Sequence, residues 1–161
     1  MRWKEGEYTF YGVQTLSYTA ASQPPGSMTC WSYALGAILG VPWSTVALYS
    51  DLGGVIEGQS TVGVRELYLA LNKSAEQNKW GTLRELARWY SDKWYPDQLE
   101  EYFPQALAIT GHFVVALAIG RAASKPEKIR YWDPGDAQIH VELLKEFALN
   151  YRPEFGVIKV R

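Results

Sequence analysis

The chain holds a single cysteine, Cys30, and only two histidines, His112 and His140. One thiol cannot close an internal disulfide, so the fold does not depend on an oxidising compartment. The same scarcity leaves no zinc-ligand spacing, and no cofactor is expected. There is no basic run: 16 Lys and Arg are interspersed with 17 Asp and Glu, for a net charge of −1. That balance disfavours a surface that tracks nucleic-acid phosphates. No apolar run reaches the roughly 18 residues that would suggest a bilayer span. The opening residues also lack the basic-then-apolar pattern of a signal peptide. The expectation is a soluble domain with neither a nucleic-acid nor a membrane partner. It can still be a piece of a larger protein that is secreted or delivered into a target cell.

What is present is enough for a packed core. The 161 residues are a natural size for one domain, expected over 1–161, and 47% are hydrophobic. Seven Trp and eleven Tyr make the chain aromatic-rich. Most such side chains belong in a core, and a minority can line a peptide-binding groove. Neither an internal repeat nor a low-complexity segment is apparent.

Residues 7–18, EYTFYGVQTLSY, are β-branched and aromatic and read as an early strand or extended arm. SQPPGS is a loop. Thr29 can cap a helix from about Cys30 to Leu39, ended by Gly40 and Pro42. Trp31, Tyr33, Ala34, Leu35, Ala37, Ile38 and Leu39 leave that helix almost no polar face, so it should be central and buried. Further helices are expected from Ser44 to Tyr49, around Val64–Leu71, from Thr82 through Tyr90, and from Pro96 to near Phe103. After Pro104 the character changes. HFVVALAI, 112–119, reads as a buried strand. GRAASKPEK reads as a hairpin loop, KIRYW at 128–132 as a second strand, and Asp133-Pro134-Gly135 as a turn. A short helix is expected over Val141–Leu149, and a last strand in FGVIKV. Helices succeeded by strands indicate an α+β domain in two layers or lobes.

Cys30 stands between a Pro/Gly/Ser-rich loop and an apolar helix. The first turn of a helix favours an anion, because its N–H groups are unpaired and its dipole points there. A thiol so placed gives up its proton more readily, and the thiolate is the nucleophile. A nucleophile needs a base. His112 comes directly after Gly111 at the start of the buried strand, where a side chain can project from the sheet edge. A base needs an orienter. Asp133 ends the neighbouring strand, where its carboxylate can accept from the second ring nitrogen. An oxyanion hole needs fixed donors. The Cys30 N–H is one candidate and the Gln23 amide another, with Gln14 as a weaker alternative. His140, in AQIHVEL, is the rival base, but it has no flanking glycine and no buried strand around it.

These residues resemble a known family. Gln23, Cys30-Trp31 and the apolar helix resemble the nucleophile segment of papain-like cysteine peptidases. Gly111-His112-Phe113-Val114-Val115 is similar to their Gly-His strand. Tyr131-Trp132-Asp133-Pro134-Gly135 looks like the Asp-Pro turn of the compact bacterial branch, which includes bacteriocin-processing peptidases and secreted effector proteases. VELLKEF is similar to the segment that succeeds this turn in the same branch, so the resemblance spans roughly residues 14–150. The chain departs from papain in reading Gly-Ser-Met-Thr before Cys-Trp, and in having Asp rather than Asn as third member. His112 lies 82 positions after Cys30, as in the compact branch, and Gln23 stands one position further upstream than usual.

The resemblance implies a helical lobe carrying the cysteine, packed on an antiparallel β lobe carrying the histidine and aspartate. It implies a thiol protease with Cys30 as nucleophile, His112 as general base and acid, Asp133 as orienter and Gln23 as oxyanion donor. A peptide or protein is then the substrate. An effector or toxin role, with a neutralising protein covering the cleft, is the expected setting. The same machinery also serves a deamidase or an acyltransferase, and an inactive papain-like binding module is the non-enzymatic alternative.

Overall fold

The computed structural model describes residues 1–16, 30–40, 42, 44, 75–79, 100, 103–109, 111–151 and 155–159. Among these, eight strands and two helices succeed one another along the chain: β1 (Arg2–Glu5), β2 (Tyr8–Gly12), α1 (Cys30–Leu39), β3 (Ala75–Lys79), β4 (Gln105–Ile109), β5 (His112–Arg121), β6 (Lys128–Asp133), β7 (Gln138–Leu143), α2 (Leu144–Tyr151) and β8 (Phe155–Lys159). The helices expected over 64–71 and 82–90 lie outside the described residues, as do most residues of those expected over 44–49 and before Phe103. The domain boundaries expected at 1–161 are likewise not addressed by these elements.

All pairings in the sheet are antiparallel, in the order β1-β2-β5-β4-β8-β3, with β6 on β5 and β7 on β6. β5 is the hub. One of its edges pairs with β4 over His112–Ala116 and then with β2 over Ala118–Arg121. The other edge pairs with β6 from Val115 to Gly120, through an irregularity between Ala116 and Ala118. Gly12 is required where β2 meets this seam. Its φ is +148°, and an added Cβ would run into the Leu117 carbonyl and the Ala118 backbone.

The unbroken apolar run of β5 reflects burial on both faces. Every residue from Val114 to Ile119 is buried. α1 runs against β5, β4 and β8. It spans Cys30–Leu39 and stops where Gly40 enters the left-handed region at φ +74°, its N–H 2.8 Å from the Gly36 carbonyl. α2 lies on β6 and β7. There Leu144, Phe147 and Ala148 join Phe103, Leu107, Ile109, Val114, Ala116, Ile119, Ile129 and Tyr131 in one apolar cluster. Each fully buried Leu, Ile or Phe in that cluster contributes about 1.5–3 kcal/mol by leaving water.

Three sequence expectations change. The segment expected to be helical over Val141–Leu149 begins as strand β7, and the helix starts only at Leu144. The alternation of Ile139, Val141 and Leu143 with polar residues suits a pleated edge strand better than a helix. Between the early strand and Pro104 only helices are expected, yet β3 (Ala75–Lys79) lies there and enters the same sheet as β1 and β2. Within the arm expected over 7–18, Tyr8–Gly12 is the second strand of a hairpin that begins at Arg2 and turns through Gly6 at φ +60°.

Candidate active site

Cys30 is the first residue of α1 and is buried. His112 is the first residue of β5. It is preceded by Gly111 at φ +69°, a backbone setting that L side chains rarely adopt. Asp133 is the last residue of β6. The β5–β6 register, Val115 with Trp132 and Ala116 with Tyr131, carries the end of β6 to the start of β5. As a result the His112 Nε2 lies 2.7 Å from Asp133 Oδ1. Cys30, at the start of α1, is close enough to act on the His112 ring and is among the causes that raise its pKa. With Nε2 taken by Asp133, Nδ1 is the ring nitrogen left for the sulfur. Both His112 and Asp133 keep 27% of their side chains open to solvent, enough for a substrate to reach them.

The electrostatics agree with the contacts. Burial alone would lower the His112 pKa. The bond to Asp133, the influence of Cys30 and the charge of the Asp133 carboxylate more than offset it and push the group up to about 9. Burial likewise acts to raise Asp133. The His112 bond, the Gly135 N–H and the nearby imidazoles outweigh it, and the carboxyl is held below its ordinary value. At neutral pH the pair is therefore imidazolium and carboxylate, joined by a charge-assisted bond.

The Asp133 turn is itself closely tied. Asp133 and Gln138 pair to close the β6–β7 hairpin. The Gly135 N–H donates to Asp133 Oδ1 at 2.7 Å, and a side chain at 135 would crowd that oxygen at 3.0 Å. The Ala137 N–H donates to the Asp133 carbonyl at 2.8 Å. Ala137 has φ +56°, a left-handed conformation that costs a non-glycine residue about 1 kcal/mol. Asp136 Oδ1 accepts from the Gln138 N–H at 2.9 Å, and Asp136 Oδ2 lies 2.7 Å from His140 Nε2.

Three of the residues singled out in the sequence thus come together: Cys30, His112 and Asp133. Gln23 lies outside the described residues. Gln14 offers its backbone carbonyl to the Arg130 guanidinium, and among the described residues no bond joins its side chain to Cys30 or His112. His140, the rival base, is bonded to Asp136. The sequence alone marked Gly135 only as part of the turn and did not single out Asp136. The Asp-Pro-Gly-Asp turn, with a histidine four positions after Asp136, was the available signal. Asp133, Asp136 and His140 each bring a donor atom within 4.8 Å of the other two. His140 Nε2 already bonds Asp136, so the group reads as a hydrogen-bond network around the turn.

No protein-family model and no curated protein matches the chain. Among solved structures it is similar to a double glycine motif protease from an AMS/PCAT transporter, crystallised in complex with the leader peptide. The likeness has a TM-score of 0.56 at 14% identity and covers 93% of this chain and 96% of that one. At that identity the likeness establishes the fold. The chain has an α+β architecture that shares its overall fold with that protease, with most of its described residues in one antiparallel sheet. No described helix is long and apolar enough to cross a membrane.

Proposed function

We propose that this protein is a cysteine peptidase acting through Cys30, His112 and Asp133. The observation that carries the reading is the 2.7 Å contact of His112 Nε2 with Asp133 Oδ1, together with the influence of Cys30 on the same ring. The Cys30 sulfur attacks the substrate carbonyl carbon as a thiolate. A C–S bond forms, and the carbonyl π electrons move to oxygen. His112, charged at neutral pH, gives its proton to the leaving nitrogen as the C–N bond breaks. Water then attacks the thioester. His112 takes a proton from that water, the acid departs, and the sulfur is freed. Asp133 holds the ring in the orientation that serves both steps and stabilises the imidazolium. The Cys30 N–H at the start of α1, with Gln23, supplies the oxyanion donors.

The substrate in this reading is a polypeptide. The similar protease's double glycine motif and leader peptide make a double-glycine leader the first peptide to try. Physiologically, we read an effector or toxin domain with a neutralising protein as partner. Wild type and Cys30→Ala are incubated with double-glycine peptides and with a whole proteome, and new N-termini are read by mass spectrometry. New termini produced only by wild type support the peptidase. A mass gain of about one dalton without cleavage would mark a deamidase, and a gain equal to a donor group would mark an acyltransferase. No product at all, with a thiol that alkylates slowly at pH 6, would leave a binding module.

A further inference from the structure

The pair Asp136–His140 lies beside the proposed site without touching Cys30, and the mechanism above gives it no task. Its geometry does. Asp133, Tyr131 and His140 share one face of the β6–β7 hairpin, since Tyr131 is paired with His140 and Asp133 with Gln138. The His140 ring stacks on Tyr131 with centroids 5.3 Å apart and planes 21° apart. Tyr131 is in turn fixed by Phe147 and by its hydroxyl, which donates to Glu142 at 3.1 Å. From that anchored ring, Nε2 reaches Asp136 at 2.7 Å. Asp136 is a residue of the turn that presents Asp133, and its other oxygen accepts from Gln138. The turn contains Ala137 in a strained conformation, which persists only where neighbouring bonds over-determine it.

We propose that Asp136 and His140 form a positioning clamp that fixes the Asp133 turn and so keeps the Asp133 carboxylate on the His112 ring. This rests on the peptidase reading for its purpose, but not for its test. Both residues act through Asp133 and neither touches the sulfur. The clamp is partly exposed, with 46% of the Asp136 side chain and 38% of the His140 side chain open to water. An exposed pair changes an equilibrium by no more than about fivefold, so a graded effect is expected.

The test tracks the His112 ring by NMR through a pH titration, together with Cys30 alkylation at pH 6, in the full chain. Neither readout needs a substrate, so a wild type that cleaves no peptide sinks the peptidase reading and leaves this test standing. Asp136→Ala and His140→Ala should each lower the His112 midpoint by about half a pH unit and slow alkylation about threefold, within the limit of an exposed pair. His140→Gln keeps a nitrogen donor near Asp136 and should restore both readouts to near wild type. Asp136→Asn serves if either alanine variant fails to fold, with the same expected direction. Unchanged midpoints in folded variants would overturn the clamp, even if stability fell. A His140→Gln midpoint as low as that of His140→Ala would also overturn it, because charge alone would then be responsible.

Discussion

His112 Nε2 and Asp133 Oδ1 stand 2.7 Å apart although 21 positions separate the residues in sequence. The β5–β6 ladder makes this contact, and it sets the charge state of the ring. With its pKa pushed up to about 9 from an ordinary 6.5, His112 binds its proton more tightly folded than unfolded. Its stabilising contribution is complete below about pH 6.5 and fades as pH rises through about 9. Urea unfolding of wild type and His112→Gln from pH 6 to 10 isolates this. The stability difference should shrink toward high pH by at most about 3 kcal/mol. A difference that stays constant across that range would contradict the shift.

Removing the carboxylate should free the ring. Asp133→Asn should bring the His112 midpoint down from about 9, since the bond to Asp133 is among the causes that raise it. Hydrogen bonds to charged groups are worth about 1.5–3 kcal/mol, so peptide hydrolysis should fall on the order of tenfold to a hundredfold. Ring titration by NMR and kcat/KM on one peptide check the two halves. An unchanged midpoint would show that Asp133 does not govern His112.

The seam between β2 and β5 admits no side chain at position 12. A Cβ there would press on the Leu117 carbonyl and lie 2.7 Å from Ala118 Cα. Backbone cannot swing aside as a flexible side chain can, and the φ of +148° adds strain. Gly12→Ala should lower stability by about 2–4 kcal/mol, read from urea midpoints. A loss below about 1 kcal/mol would mean that the strands separate easily there.

Phe147 is fully buried and packs its ring 4.9 Å from Tyr131 and 5.1 Å from Tyr151. Phe147→Ala should cost about 3–5 kcal/mol, a large share of the roughly 5–15 kcal/mol typical of a domain. Urea denaturation measures it directly. A small loss would show that α2 settles into the gap.

Some of this architecture was legible in the sequence. β5 could be read because a strand buried on both faces has no polar alternation to confuse the eye, and α1 because apolar residues fill every side of it. His112 and Asp133 could be suspected because each stands at a strand end beside a glycine or proline turn. What the sequence hid were the short strands. β4 is five residues packed between Pro104 and Gly111, and β7 runs directly into α2, so that Val141 and Leu143 can be counted as part of the helix. Registers were equally hidden. Nothing in the chain announces that Trp132 faces Val115, and that single pairing decides where Asp133 ends up. His140 had the right side chain for a base but the wrong address, on an edge strand.

Leu117 is where β5 changes neighbours on one edge and breaks step with β6 on the other. Two interruptions at one residue divide this strand into segments with separate lacing. Fraying that starts at the Arg2–Gly12 hairpin can travel as far as Ala118 and stop there, leaving the imidazole end undisturbed.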